Sequence, residues 1–243
     1  MGNSGVCVLP NNSENISDII KLFIGDGLFQ YMVEETNRYH AQNEFRIKDR
    51  VKSVKWKDVT VKELKKFIGL ILLMGKIRKD NRDEYWSTDP TIQTSLFSQV
   101  LSRDRFKQIW EFWHFSNNSN IVDDSDRLQK VRPILTYLTS KFTSVYTPQR
   151  ELSLDESIIP WRDRLAFKVY NASKIIKYGV LVRMVCEATT GYICNLDIYC
   201  RQGKPLLQTI TTLLEPYVNL WHHLYMDNYY NSVHTCEILL QKK

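Results

Sequence analysis

The sequence predicts an α/β fold in which an N-terminal helical domain precedes a partial mixed sheet with the order β-β-β-α-β-α. Apolar side chains recur at helical spacing as far as Tyr146, and from Glu151 onward they alternate with the period of two that is typical of strands. The second half is also rich in the β-branched and aromatic residues that favour sheets. These patterns divide the chain into a helical part and a sheet-forming part.

Apolar periodicity and capping signals define the helices of the first part. Four helical segments are predicted, 16–43 with an interruption at 25–27, 60–77, 103–115 and 128–145. Thr60 opens the second segment, because Glu63 three positions later completes a capping box. Pro133 marks a helix start or a kink in the last segment. One buried stripe is expected on the third segment, formed by Phe106, Ile109, Trp110 and Trp113.

Alternation defines the second part. The predicted strands are 152–160, 178–187, 192–200 and 223–226, and the predicted helices are 205–218 and 228–243. In the first strand Asp155 shares one face with Ser153 and Ser157, whereas Leu152, Leu154 and Ile158 share the other. Glu156 must therefore point away from Asp155, toward the apolar face.

Composition excludes several classes of protein. The chain has 243 residues, 43% apolar and 25% charged, as in ordered globular proteins. Its longest apolar stretch, Phe67–Gly75, is far shorter than the roughly 20 residues of a membrane-spanning helix. The amino-terminal residues lack a secretory signal. We therefore expect an intracellular protein that does not associate with a membrane.

The cysteine pattern and the net charge further restrict the classes of protein and the kinds of partner that fit this sequence. Five cysteines without CxxC spacing predict reduced core thiols, and no zinc site is predicted because no familiar four-ligand pattern is present. The formal net charge of +6 favours polyanionic partners.

Two carboxylates stand where a metal site is possible. Asp155 lies in the middle of a strand and Asp227 at the end of a later one. On adjacent strands of one sheet, such carboxylates can share divalent cations, which prefer hard oxygen ligands. The alternative is that Asp155 is merely an exposed strand residue and that Asp227 caps the final helix.

The sequence around both aspartates resembles that of PiggyBac-type transposases and their domesticated derivatives. LSLDES around Asp155 and MDNYYNS around Asp227 are similar to the segments that carry the family's first two catalytic aspartates, with KYG and TTGY between them. Upstream stretches such as LKKFIGLILLMG and YWSTDP also resemble the family's helical region. The resemblance extends over 16–243.

This resemblance implies an RNase H-like sheet of DDE/DDD recombinases, in which three acidic residues hold two Mg²⁺ ions. Such enzymes cut DNA at transposon ends and join it to target DNA, with TTAA targets favoured by PiggyBac relatives. Asp155 and Asp227 correspond to the first two catalytic and metal-binding residues. The third aspartate has no counterpart in this sequence, so we expect a chain truncated before it, with weak or lost Mg²⁺ binding and no autonomous strand transfer.

The resemblance also implies double-stranded DNA as partner, a possible homodimer, a nuclear location and no small-molecule substrate. The predicted organisation is a flexible N-terminus over 1–15, a helical dimerisation and DNA-binding region over 16–146, and an incomplete RNase H-like catalytic core over 147–243. Candidate DNA-binding residues are Arg162, Arg164, Lys168, Lys174 and Lys177 near the first strand, and Lys76, Arg78 and Lys79 in a second patch.

Two other functions remain open at this point. The chain is alternatively a fragment of an active DDD transposase, in which a further carboxylate completes the site. It is otherwise a non-catalytic dimerisation module that has kept the helical half for contacts with proteins.

Overall fold

The computed structural model describes residues 4–44, 55–120, 126–201 and 203–242. Its helices are α1 (Ile16–Phe23), α2 (Asp26–Asn43), α3 (Val61–Lys76), α4 (Ser95–Val100), α5 (Arg103–Phe112), α6 (Arg132–Val145), α7 (Leu206–Leu214) and α8 (Val233–Leu240). Its strands are β1 (Gly5–Val6), β2 (Tyr146–Thr147), β3 (Glu151–Pro160), β4 (Val169–Tyr170), β5 (Tyr178–Glu187), β6 (Ile193–Ile198) and β7 (His223–Met226). The predicted α/β class and the order β-β-β-α-β-α are confirmed, with β4 as an additional short strand.

The chain forms two compact units. One comprises 24–122 with 129–134, and the other comprises 1–23, 123–128 and 135–243. No helix within the described ranges is long and apolar enough to cross a membrane.

The first of these units, the helical unit, is built around aromatic side chains. Phe67, Phe97 and Phe106 are fully buried, and the rings of Phe67 and Phe106 are 4.9 Å apart. The predicted N-cap is confirmed, since the Thr60 hydroxyl accepts a hydrogen bond from the Glu63 backbone. The predicted return contact from the Glu63 side chain is not made, because Glu63 instead binds the Arg105 guanidinium at 2.7 Å and 2.8 Å.

The stripe predicted on α5 is only partly buried. Phe106 and Ile109 are fully buried as expected, but Trp110 is 46% exposed. The Trp110 ring stacks on the buried Phe106 at 5.9 Å on one side, and the guanidinium of Arg82 lies 5.1 Å from its centre in a cation–π contact. The helix also ends at Phe112, earlier than predicted.

The second unit, the sheet unit, carries a five-stranded mixed sheet. Antiparallel β3 and β5 pair from Leu152 and Glu187 to Pro160 and Gly179, and β7 pairs in parallel with the other edge of β3. Both β4 and β6 pair with the remaining edge of β5. Because β7 pairs only with the first part of β3, the edge of β3 beyond Leu154 lies past the end of its parallel neighbour.

The core of the sheet unit lies on one face of the sheet, where α7 packs against it. The buried cluster consists of Leu152, Leu154, Val185, Cys194, Ile210, Leu213, Leu214, Tyr217 and Tyr230. All five cysteines are free; Cys7 and Cys236 are exposed, so the expectation that every thiol lies in the core is wrong for these two.

The last helix begins later than predicted. It starts at Val233, where the Ser232 side chain accepts from the Thr235 backbone as N-cap. Residues after β7 instead form a turn, because the backbone N–H groups of Tyr230 and Asn231 donate to the Asp227 carbonyl. This turn determines where the Asp227 side chain lies.

Candidate functional site

Asp155 lies on β3, and Asp227 directly follows the neighbouring parallel strand β7. Leu154 pairs with Met226 in the β3–β7 ladder, so each aspartate directly follows the last pair of residues. Leu154 packs against the core, and side chains alternate along a strand, so Asp155 faces away from it. Asp227, in the turn after β7, is also exposed. Neighbouring strands are about 4.8 Å apart, so the backbone segments that carry the two carboxylates are adjacent.

Backbone hydrogen bonds orient both carboxylates. Asp155 Oδ1 accepts from the backbone N–H of Glu156 at 2.7 Å. Asp227 Oδ1 accepts from the backbone N–H groups of Tyr229 at 3.0 Å and Tyr230 at 3.3 Å. Asp227 thus stabilises the turn before α8, but Ser232 rather than Asp227 is the helix cap.

A third carboxylate, Glu156, lies beside this pair and points to the core face, as alternation predicted. Its Oε2 accepts from the hydroxyl of the buried Tyr230 at 2.6 Å, and its Oε1 lies 3.0 Å from Lys174 Nζ. Arg183 is buried and lies opposite Glu156 in the β3–β5 ladder. Burial opposes ionisation of Glu156, but the bonds from Tyr230 and Lys174 outweigh it and lower the pKa of this carboxyl.

Lys174 interacts electrostatically with all three acidic groups. Its hydrogen bond to Glu156, followed by the charges of Glu156, Asp155 and Asp227, raises the pKa of the ammonium, although partial burial opposes this shift. The side chain therefore remains charged at neutral pH, close to both aspartates.

The other predicted cations of the sheet unit lie around the segment that follows β3. Arg162, Arg164 and Lys177 are exposed. Lys168 Nζ donates to the carbonyl oxygens of Arg162 and Asp163, both at 3.2 Å, and this holds the turn in place.

The second predicted patch belongs to the helical unit. Lys76 and Arg78 are exposed, and the Lys79 ammonium donates to the Ile92 carbonyl. These residues lie at the end of α3 and in the segment after it, where cations also interact favourably with the carboxyl end of a helix.

The aspartate pair matches the chemistry of a magnesium site. Mg²⁺ prefers oxygen ligands, and proteins usually bind it through one or two carboxylates while waters and phosphates complete its shell. Within the described ranges, no group of three or more His, Cys, Asp or Glu side chains is arranged to hold a metal ion. Two carboxylates are a donor set of the kind that could hold a partly hydrated divalent cation.

One further acidic residue is structural. Glu187 is fully buried, and its carboxylate accepts from the Tyr146 hydroxyl, the Gln149 backbone and the Thr190 hydroxyl. The carboxylate therefore joins the segment before β3 to the β5–β6 hairpin.

The comparisons with known proteins agree with this geometry. Residues 17–243 match the DDE family described as transposase IS4. The chain belongs to this DDE transposase family. Members of the family generally depend on divalent metal ions, which is consistent with the pair of aspartates on the sheet.

Two similar curated proteins come from Homo sapiens. PiggyBac transposable element-derived protein 2 is 26% identical over 240 residues, and PiggyBac transposable element-derived protein 3 is 26% identical over 232 residues. These alignments cover 92% and 89% of this chain but 38% and 36% of the relatives. The chain thus spans little more than a third of their length.

A solved structure shows the same fold. The chain is similar to the piggyBac transposase in a synaptic complex with hairpin DNA, with a TM-score of 0.82 and 25% identity, over 99% of this chain and 51% of that one. The predicted PiggyBac resemblance and the RNase H-like fold are both confirmed.

Proposed function

We propose that this chain is a PiggyBac transposase-derived DNA-binding protein that retains two of the family's three metal-binding aspartates and lacks autonomous DNA cleavage and strand transfer. The observation that carries the proposal is that Asp155 and Asp227 directly follow Leu154 and Met226, which pair on adjacent parallel strands. The solved relative is a transposase in complex with DNA, and this supports duplex DNA as the partner here.

Asp155 and Asp227 would hold the divalent cation. In phosphoryl transfer such an ion supplies charge stabilisation for the attacking and leaving oxygens. The protein's own residues orient the two carboxylates through backbone hydrogen bonds and keep a further negative charge, Glu156, nearby. Since only two carboxylates are provided, we expect weak Mg²⁺ binding by the 243-residue chain.

Arg162, Arg164 and Lys177 are proposed to contact DNA phosphates, with contributions from Lys168 and from Lys76, Arg78 and Lys79. The first three are exposed on the same unit as the aspartates. Lys174 is instead proposed to act at the carboxylates, because its ammonium is bound by Glu156. Dimerisation through 16–146 and a nuclear location complete the proposal.

DNA binding is tested by fluorescence anisotropy with a labelled duplex over a series of salt concentrations. We expect affinity to fall steeply with salt, because phosphate contacts release counterions. The double variant Arg162→Gln, Lys177→Gln should lower the log–log slope by roughly two, about one for each lost contact. Its control, Lys62→Gln with Lys66→Gln, removes the same charge from exposed positions on α3 and should keep the slope.

Failure to bind duplex DNA at low salt would contradict the DNA-binding proposal and would favour the alternative of a non-catalytic dimerisation module.

Cleavage is tested separately by nicking of supercoiled plasmid in Mg²⁺. We expect no nicking above background. Robust nicking that Asp155→Ala abolishes would show that the chain is an active nuclease.

A further inference from the structure

A part-buried side-chain hydrogen bond joins the segments that carry the two aspartates. Glu156 follows Asp155 directly, and Tyr230 lies in the turn that begins at Asp227. The Tyr230 hydroxyl donates to Glu156 Oε2 at 2.6 Å. Position 155 on β3 and position 227 after β7 are therefore connected by a side-chain contact as well as by the strand ladder.

Both partners of this bond are fixed by other contacts. Tyr230 is 2% exposed and belongs to the core cluster of the sheet unit, and its backbone N–H donates to Asp227 at both the carbonyl and Oδ1. The ring therefore cannot move without disturbing the turn that orients Asp227. A hydrogen bond to a charged acceptor in a buried setting is among the stronger ones in proteins.

The second oxygen of Glu156 is bound by a different residue, Lys174. Lys174 Nζ lies 3.0 Å from Oε1, and Lys174 belongs to a loop closed by a 2.8 Å bond from the Asn171 backbone N–H to the Lys177 carbonyl. With both oxygens bound, the Glu156 side chain is restrained in its orientation. That orientation restricts the backbone at the neighbouring Asp155.

We infer that Glu156, held by Tyr230 and Lys174, is a positioning residue that fixes Asp155 relative to Asp227 so that the two carboxylates can hold one divalent cation. This inference rests on the proposed metal-binding role of the two aspartates. Glu156 and Tyr230 would act by orienting the two metal-binding aspartates and would not contact the ion themselves.

The experiment measures Mn²⁺ binding by water-proton relaxation, with no catalytic readout. Tyr230→Phe removes one hydroxyl and keeps the ring, and we expect a tenfold or greater loss of Mn²⁺ affinity, about the effect of losing a partner that orients a metal ligand. The matched control is Tyr229→Phe, at a neighbouring tyrosine that is 64% exposed. This control should bind Mn²⁺ as the wild type does.

Substitutions at Glu156 separate positioning from a general structural role. Glu156→Gln keeps an oxygen that accepts from Tyr230 and should stay within about threefold of wild type, whereas Glu156→Leu should lose as much affinity as Tyr230→Phe. All titrations use protein shown to be folded by circular dichroism. A purely structural contact would change the free energy of unfolding but not the affinity of the folded protein.

The results distinguish two kinds of failure. If the wild type binds Mn²⁺ and Asp155→Asn weakens binding, but Tyr230→Phe and Glu156→Leu bind as the wild type does, the positioning role is refuted and the metal site stands. If wild type and Asp155→Asn show the same negligible binding, the metal site itself is refuted, and the positioning role falls with it.

Discussion

Replacing Glu187 with glutamine tests how much the buried carboxylate contributes to the sheet unit. Glu187 is 0% exposed, and it accepts from Tyr146 at 3.0 Å and 2.9 Å and from the Gln149 backbone at 2.7 Å, besides the Thr190 hydroxyl. Glu187→Gln removes the negative charge. It also replaces one acceptor oxygen by an NH₂ group, which would face the hydrogen-bond donors of the surrounding residues. Buried hydrogen bonds to charged groups contribute about 1.5–3 kcal/mol each, and an unpaired buried donor costs a similar amount.

We expect Glu187→Gln to lower the free energy of unfolding by about 2–3 kcal/mol at pH 7, measured by urea titration with circular dichroism. Burial raises the pKa of Glu187, but hydrogen bonds from Gln149, Thr190 and Tyr146 outweigh it and the net shift is downward. A carboxyl whose pKa is lowered on folding stabilises the protein above its unfolded pKa of about 4.3, and the effect is lost as the pH falls through the folded pKa. The difference in unfolding free energy between wild type and Glu187→Gln should therefore become smaller as the pH is lowered.

The matched control is Glu151→Gln, an exposed glutamate at the start of β3. Its unfolding free energy should stay within about 0.5 kcal/mol of wild type. The reasoning is refuted if the two variants unfold at the same urea concentration. It is also refuted if the loss of unfolding free energy in Glu187→Gln, relative to wild type, grows as the pH is lowered.

Three other substitutions test local features of the structure. Thr60→Ala removes the N-cap bond of α3 and should cost about 1 kcal/mol in urea unfolding. Gly179→Ala would place a methyl group 2.0 Å from the Ile159 carbonyl oxygen across the β3–β5 ladder; we expect a loss of about 2–3 kcal/mol and a lower melting temperature. Asp155→Asn should weaken Mn²⁺ binding at least tenfold while the circular dichroism spectrum stays unchanged, because an exposed carboxylate on a strand contributes to the site and little to the core.

The strands were predictable because their pattern is strong and local. The bounds Tyr178–Glu187 and His223–Met226 agree with the prediction, since each is a run of β-branched, apolar or aromatic residues between turn signals. The start of α8 was not predictable from periodicity, because the Asp227 turn and the Ser232 cap decide it. Trp110 was misplaced for a similar reason, since its contact with Arg82 connects residues of different elements.

The site was predictable in part. The positions of Asp155 and Asp227 follow from sequence motifs and strand alternation, but the contact of Glu156 with Tyr230 joins residues 74 positions apart and leaves no periodic signal. One clue was present: alternation places Glu156, a charged residue, on the apolar face of β3. A charge at such a position requires a buried partner, and Tyr230 with Lys174 provides it.

The unequal lengths of β3 and β7 explain why the acidic groups gather at this point of the sheet. The parallel ladder ends at Leu154 and Met226, and the chain turns away at Asp227 while β3 continues to Pro160. Asp155 and Asp227 thus lie beside the end of this ladder, and the Lys174 ammonium interacts electrostatically with both of them and with Glu156. An excess of negative charge attracts a divalent cation, and two ligating carboxylates leave most of its coordination shell open to water or phosphate oxygens. Metal and DNA binding should therefore strengthen each other, and Mn²⁺ affinity measured with duplex DNA present should exceed that of the protein alone.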